Sequence, residues 1–471
     1  MSVYDHFDDQ DHPPRPNKRS EDDLKRFREQ LKNGEKDINN VEALEEIIQF
    51  YFEHEQFEEA LQFANRLLSF EPFSGDAWQR KGMILNNLSR YEDALFCFDK
   101  ALSLNPTDPE IFVNKGITLD NLNRVGEAML CFDEALELEP LYEEAQFHKA
   151  VTLEKQEQYK DAVTAFHSIL EANPEHADAW YELGYCYDFL DQLEESIHAY
   201  DEHLNLDPYN YNAWYNKGTV LNRLAQFSKA IDTYDMALAI KEDFASAWYN
   251  KGNAYANIGR LYDAIECFKT TLHLEPEDIA SWHNLGNAYE ELALYEEAVI
   301  AYSNALKCDD QHYESYFGRG CCFEVLKQPE RALLDYNHAL SLFSNYPELW
   351  YAKADLEYNL GNFSDSLESY RMLLKLTPTR SDAWFDYGDT LFEIGMISEA
   401  TEAIDQCLKL APEFAPAHYT RAKICILNNQ HKQAIEALHL AFKNEPELID
   451  HFKTEFPRLK AHPDFSELLK Q

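Results

Sequence analysis

Residues 245–278 read ASAWYNKGNAYANIGRLYDAIECFKTTLHLEPED, and residues 279–312 read IASWHNLGNAYEELALYEEAVIAYSNALKCDDQH. Both stretches carry a tryptophan, a glycine four residues later and an alanine sixteen residues after the tryptophan. An interval of 34 residues, or a multiple of it, separates all the tryptophans of the chain: Trp78, Trp180, Trp214, Trp248, Trp282, Trp350 and Trp384. A fixed period of this length indicates a repeat protein.

The same period covers most of the chain. With Val41 at repeat position 1, twelve repeats run from 41 to 448 without an insertion or deletion. Small residues recur at positions 8 and 20, aromatic residues at position 24 and proline at position 32 in nine of the twelve repeats. Helical spacing of the apolar residues predicts two amphipathic helices per repeat, and the proline ends the second one. Since one helix pair cannot bury its apolar face alone, the repeats must stack.

This pattern resembles the tetratricopeptide repeat over residues 41–448. The resemblance implies an all-α fold, a right-handed α-solenoid superhelix of about twelve helix pairs. It also implies that the first helices line a concave groove, with repeat positions 2, 5, 6, 9, 12 and 13 facing it.

The two ends depart from the repeat. Residues 1–40 are expected to form a disordered tail with a short helix, and they include a small basic island of Arg15, Lys18 and Arg19. Residues 449–471 continue an apolar stripe and are expected to form capping helices that cover the naked face of the last repeat.

Composition narrows the class of partner. The chain has 42 basic and 85 acidic residues, a formal net charge of −43. Such a surface repels nucleic acid and anionic membranes and favours basic polypeptides. No apolar run approaches the ~20 residues of a membrane-spanning helix, and the start resembles no signal peptide, so we expect a cytoplasmic protein. The nine cysteines show no metal-ligand spacing, and neither a metal nor another cofactor is expected.

A row of amides is the first candidate for peptide binding. Position 6 of the repeat carries asparagine in four repeats, and position 9 adds two more on the same helical face: Asn114, Asn216, Asn250, Asn284, Asn253 and Asn287. The row is similar to the asparagine ladder in the tetratricopeptide domain of O-linked N-acetylglucosamine transferase, which implies a grip on the backbone of an extended peptide. An amide offers both a donor and an acceptor, so it matches one peptide unit. The alternative is a polar surface residue copied by duplication.

Aromatic and acidic rows accompany the amides. Position 5 carries rings, which either border the groove or pack between repeats: Tyr181, Tyr215, Tyr249 and His283. Position 2 is mostly acidic and position 12 adds further acidic residues, and the candidates among them are Asp178, Asp188 and Glu290. Together these rows predict a basic or aromatic extended ligand.

Three hypotheses follow for a chain without a recognised catalytic motif, which we interpret as non-enzymatic. In the first, the protein is a scaffold whose groove binds an extended segment of another polypeptide. In the second, it is a structural spacer that uses its convex face and its ends. In the third, the basic island occupies an acidic groove, its own or that of a second copy. The oligomeric state stays open, and a homo-oligomer is compatible with the sequence.

Overall fold

The structure is a computed structural model, and it describes residues 41–457 together with Leu459 and Phe465. The expected N-terminal tail, its short helix and the basic island therefore lie outside the described residues. So do most residues of the expected second capping helix.

Within the described residues the protein is all-α, as predicted, with 25 helices and no strand. The first helices of the twelve repeats are α1 Val41–Glu53, α3 Gly75–Asn87, α5 Pro109–Asn121, α7 Glu143–Lys155, α9 Ala177–Phe189, α11 Tyr211–Arg223, α13 Ala245–Asn257, α15 Ile279–Glu291, α17 Tyr313–Val325, α19 Pro347–Asn359, α21 Ser381–Glu393 and α23 Ala415–Leu427. The second helices are α2 Phe57–Phe70, α4 Tyr91–Leu104, α6 Val125–Leu138, α8 Tyr159–Ala172, α10 Leu193–Leu206, α12 Phe227–Ile240, α14 Leu261–Leu274, α16 Tyr295–Cys308, α18 Pro329–Leu342, α20 Phe363–Leu376, α22 Ile397–Leu410 and α24 His431–Asn444. A shorter helix, α25 Leu448–Glu455, follows the last repeat.

The described residues belong to two compact units, the first ending at Val220 and the second beginning at Leu221. In each unit the two helices of a repeat pack on one another, and the second helix packs on the first helix of the next repeat. Each unit therefore has a continuous apolar core that is built from neighbouring repeats, as expected of stacked helix pairs.

Close contact inside each pair depends on the small residue at position 8. A Cβ atom on Gly116 would lie 2.5 Å from Cε1 of Phe132, and one on Gly286 would lie 2.5 Å from Cε1 of Tyr302. Both rings occupy position 24 and are fully buried. The glycine therefore lets the ring lie directly on the backbone of the first helix, as the sequence pattern predicts.

The tryptophans at position 4 join each first helix to the turn before it. The indole Nε1 of Trp248 donates a hydrogen bond of 2.9 Å to the backbone oxygen of Glu242, and Trp282 donates one of 3.0 Å to that of Pro276. The acceptor is always at position 32 of the preceding repeat, whether or not that residue is proline. This bond sets how the chain enters the next repeat.

A left-handed residue ends every first helix, and the sequence analysis does not predict it. All twelve residues at position 15 have φ between 55° and 81°, yet only Gly259, Gly361 and Gly395 are glycine. Alanine holds this conformation at Ala225 and Ala293. A side chain in this region costs about 1 kcal/mol, so packing of the two helices must enforce the turn.

The end of the second unit is closed by α25. Phe452 is fully buried, and its ring centroid lies 6.1 Å from that of Phe442 and 6.0 Å from that of Phe465. Phe452 and Phe465 thus pack together beside Phe442 of α24, the last helix of the repeats.

We predict opposite effects of substitution at two equivalent turns. Gly259→Ala should destabilise unit 2 by about 1 kcal/mol, because φ is +73° and no neighbouring atom lies within 4 Å of the added Cβ. Ala293→Gly, one repeat later, should stabilise it by a similar amount. Hydrogen exchange of the flanking helices measures both effects. Equal protection in the two variants would contradict a strained turn.

Candidate protein-binding surface

The first helices form the inner surface of each unit. Besides packing within their own repeats, first helices of neighbouring repeats contact one another, for example α5 with α7 and α15 with α17. In a stack of helix pairs, the helices that approach their counterparts in the next repeat lie on the inner side of the curve. The candidate residues at positions 2, 5, 6, 9 and 12 all lie on these helices.

Position 5 and position 6 are connected between neighbouring repeats. The side-chain amide of Asn216 donates a hydrogen bond of 2.9 Å to the hydroxyl of Tyr181 in unit 1. In unit 2, Asn284 donates one of 3.1 Å to Tyr249, with the same separation of 35 residues. Each such bond ties one first helix to the next, so these tyrosines and asparagines help to align neighbouring repeats.

The tyrosine rings themselves are half-buried. The ring centroid of Tyr181 lies 5.8 Å from that of Tyr200, and Tyr249 lies 6.0 Å from Phe268. Burial raises the pKa of the Tyr181 hydroxyl, and the nearby carboxyl of Glu182 adds to this effect. Much of each ring is therefore used in packing, which leaves one edge and the hydroxyl beside the inner surface.

In unit 2, three asparagines on α13 and α15, which we call the asparagine network, take part in two neighbouring groups of hydrogen bonds. Besides its bond to Tyr249, the Asn284 amide nitrogen donates a hydrogen bond of 2.9 Å to Oδ1 of Asn253. In the second group, the single hydroxyl proton of Tyr302 is shared between Oδ1 of Asn287 and a carboxylate oxygen of Glu290, each 2.7 Å from the hydroxyl oxygen. Five predicted site residues of unit 2 thus belong to two hydrogen-bonded groups: Tyr249, Asn253 and Asn284 in one, and Asn287 and Glu290, joined through Tyr302, in the other.

These bonds fix the orientation of all three amides. Asn284 uses both N–H groups internally, so its Oδ1 is the atom left to accept from a ligand. Asn253 and Asn287 use their oxygens, so each has its Nδ2 group left to donate. Asn287 is exposed, and the other two are half-buried. The inner surface of unit 2 therefore presents a donor, an acceptor and a donor.

His283 takes part in the contact between repeats 8 and 9. Its Nδ1 lies 3.0 Å from Oγ of Ser315, which also lies 2.9 Å from Nδ1 of His312. Burial lowers the pKa of His283 to about 4, and the neighbouring His312 adds to this, against the opposing charge of Glu314. His283 is therefore neutral at pH 7 and is not a charged ligand contact there.

The other predicted residues are more scattered. Asn114, Asp188 and Tyr215 are half-buried on the first helices of unit 1, whereas Asp178 is exposed in the first turn of α9. Asn250 is half-buried on α13 of unit 2.

Comparison with known families agrees with this architecture. Five family models match the chain, described as tetratricopeptide repeat or TPR repeat, at residues 75–108, 97–129, 147–211, 224–259, 245–278, 279–312 and 351–412. Together the matches span more than half of the chain. The chain is a tetratricopeptide-repeat protein. Repeats of this family mediate contacts between proteins.

Solved structures of other proteins are similar to parts of the chain. A crystal structure of MamA is 25% identical and covers 34% of this chain and 95% of its own, with a TM-score of 0.34. A structure of YrrB, described as a TPR protein with an unusual peptide-binding site, is 21% identical and covers 40% and 97%, with a TM-score of 0.37. No curated protein matches the chain.

Over residues 41–457, no helix combines the length and apolar character that crossing a bilayer requires. In the same part of this TPR protein, no three histidine, cysteine or acidic side chains are grouped in a way that could hold a metal ion.

A buried pair of carboxyl groups interrupts the row of polar residues in unit 1. Glu182 occupies position 6, where other TPR repeats of the chain carry asparagine, and it shares a hydrogen bond with Glu154. The two side chains are 8% and 2% exposed. Burial raises the pKa of Glu182 well above its ordinary value, and the charge of Glu154 adds to this. Sequence reasoning missed the pair because acidic residues are frequent throughout the chain.

We predict that Glu182 makes the stability of unit 1 depend on pH. A carboxyl whose pKa is raised by folding stabilises the folded state while it is protonated, and that contribution is lost as pH rises through the raised pKa. Glu182→Gln cannot ionise, so this variant should melt at a higher temperature than the parent protein at pH 8. The difference should shrink towards pH 5.

Thermal melts at the two pH values measure this effect. Glu134→Gln, which alters an exposed residue of the same unit, is the matched control and should change neither melt. A shift of equal size at pH 5 and pH 8 would show that ionisation of Glu182 is not the cause.

Proposed function

We propose that this TPR protein is a protein–protein interaction scaffold that holds an extended segment of another polypeptide on the inner surface of unit 2. The observation that carries the proposal is the fixed orientation of Asn253, Asn284 and Asn287, which offer a donor, an acceptor and a donor. An extended backbone presents N–H and C=O groups in alternation, so it complements this set.

The energy of such contacts is consistent with reversible binding. One net hydrogen bond contributes about 0.5–1.5 kcal/mol, so three contribute roughly 1.5–4.5 kcal/mol. The internal bonds hold the amides in place before the ligand arrives, which reduces the entropy lost on binding. Contacts to the edges of Tyr249 and neighbouring rings would supply further affinity.

The charge of the chain supports a basic or aromatic segment as the ligand. The net charge is −43, and Glu290 accepts a hydrogen bond from Tyr302 beside Asn287 in unit 2. A concave acidic surface attracts lysine and arginine, and aromatic rings stack on guanidinium groups. The same charge disfavours nucleic acid and anionic membranes as partners. We extend the proposal to a non-enzymatic, cytoplasmic role without a cofactor.

One observation favours the alternative of a structural spacer. Ile300 and Leu334 lie on the second helices of consecutive repeats and are 61% and 70% exposed. Exposed apolar side chains in neighbouring repeats provide a contact surface that does not involve the inner face. A partner bound there would assemble on the outside of unit 2.

Affinity capture with matched variants distinguishes the two functions. The combined variant Asn253→Ala, Asn284→Ala and Asn287→Ala should capture about tenfold less of the partner than the parent protein does, because three contacts to the peptide backbone are removed. The control variant, Ile300→Ser with Leu334→Ser, should retain the partner. Circular dichroism confirms that each variant is folded.

The opposite pattern would contradict the proposal. A partner that is retained by the asparagine variant and lost from the outer-surface variant would establish the spacer function. Captured partners should also be enriched in basic segments and should be released as salt concentration rises.

A further inference from the structure

A separate cavity lies on the inner surface of unit 1, at its first three repeats. Its volume is about 420 Å³, within the range of ~300–1,000 Å³ that is typical of ligand pockets. The lining comes from α1, α3 and the beginning of α5: Ile48, Gln49, Phe52, Asp76, Gln79, Arg80, Met83, Ile84, Asp108 and Glu110. It shares no residue with the asparagine network of unit 2.

Most of the accessible lining of this cavity is polar, and its apolar part, which we call the floor, contains one polar group. Ile48, Phe52, Met83 and Ile84 supply the apolar side chains. Between them lies Gln79, which is only 7% exposed. Its side chain forms no hydrogen bond within the described part of the protein. Its amide therefore keeps its donors and its acceptor for a ligand in the cavity.

The repeat pattern makes Gln79 unusual. It occupies position 5, where nine later repeats carry an aromatic residue or histidine that packs between the helix pairs. The smaller glutamine leaves the space open, and its amide offers one acceptor and two donors to a peptide group. Glu45 and Val113 in the two neighbouring repeats also lack a ring at position 5, so the cavity lies where three successive repeats depart from the pattern.

The rim of the cavity is acidic. Asp76, Asp108 and Glu110 face one cation, Arg80. Asp108 also caps α5 by accepting a hydrogen bond of 3.1 Å from the backbone N–H of Glu110. Partial burial raises the pKa of Glu110, and Asp108, Glu144 and Asp76 add to this, whereas Arg80 lowers it. The surplus of carboxylates favours a cationic group of a ligand beside the apolar floor.

We propose that this cavity binds a partner polypeptide through an aliphatic side chain that is followed by lysine or arginine. The aliphatic side chain contacts Phe52 and Met83, the adjacent peptide group bonds to Gln79, and the basic side chain pairs with Asp76 and Glu110. The site goes beyond the proposed function of unit 2, and it does not require the asparagine network. It would give the protein a second point of attachment, specific for side chains rather than for backbone.

The test uses the full chain with ¹³C-methyl methionine and two short synthetic peptides. Met83 lines the cavity, and Met236, which is 47% exposed in unit 2, is an internal reference. A peptide with Leu-Lys in a Gly-Ser context should shift the Met83 methyl resonance and leave that of Met236 unchanged. The matching Leu-Glu peptide should bind about tenfold more weakly, because its carboxylate faces the acidic rim.

Two variants separate the parts of the site. The double variant Asp76→Asn and Glu110→Gln should abolish the preference for the Leu-Lys peptide over the Leu-Glu peptide. Both residues are exposed, so we expect this variant to fold. Gln79→Met keeps the size of the side chain and should weaken both peptides by about threefold through loss of the peptide hydrogen bond. In the combined variant of Asn253, Asn284 and Asn287, the peptides should shift the Met83 methyl resonance as much as in the parent protein. This result would show that the two sites are independent.

Three results would overturn the proposal. The Met83 resonance could stay unmoved by either peptide, or it could respond equally to both. A shift on deletion of residues 1–20, without any peptide, would show that the occupant is this chain's own N-terminal segment rather than a partner.

Discussion

The contact between the small residue at position 8 and the ring at position 24 is the constraint on which the rest of the structure depends. Gly286 allows Tyr302 to lie against the backbone of α15, and the hydroxyl of that ring then reaches Asn287 and Glu290. A core contact and a surface network thus share one side chain. Where position 20 is serine, the hydroxyl of Ser196 donates to the backbone oxygen of Gly184, so even this buried polar group is satisfied.

Much of the fold could be predicted from the sequence because its determinants recur every 34 residues. The period specifies helix pairs, the small residues and the rings that pack on them. The left-handed turns at Ala225 and Ala293 could not be predicted, because alanine disfavours that conformation and only the packed helix pair enforces it. Glycine occupies position 15 in three repeats, and this recurrence is the sequence signal that could have indicated a left-handed residue there.

The candidate site was predictable in residue type and not in orientation. Sequence reasoning selects Asn253 and Asn284 for their chemistry, but their hydrogen bonds join residues 31 and 35 positions apart. Which amide atom remains for a ligand depends on those bonds. Departures from the repeat pattern were equally hard to interpret. Glu182 and Gln79 matter because their side chains are buried, and composition and spacing do not reveal burial.

The central claim is that a bound polypeptide runs along the inner surface of unit 2. Photo-crosslinking tests it most directly, with a crosslinking amino acid in place of Asn257, which is exposed one helical turn beyond Asn253, and separately in place of Ile300 on the outer surface. The account predicts that the partner is crosslinked from position 257, with the attachment points in a basic, extended segment. Crosslinking from position 300 alone would contradict it.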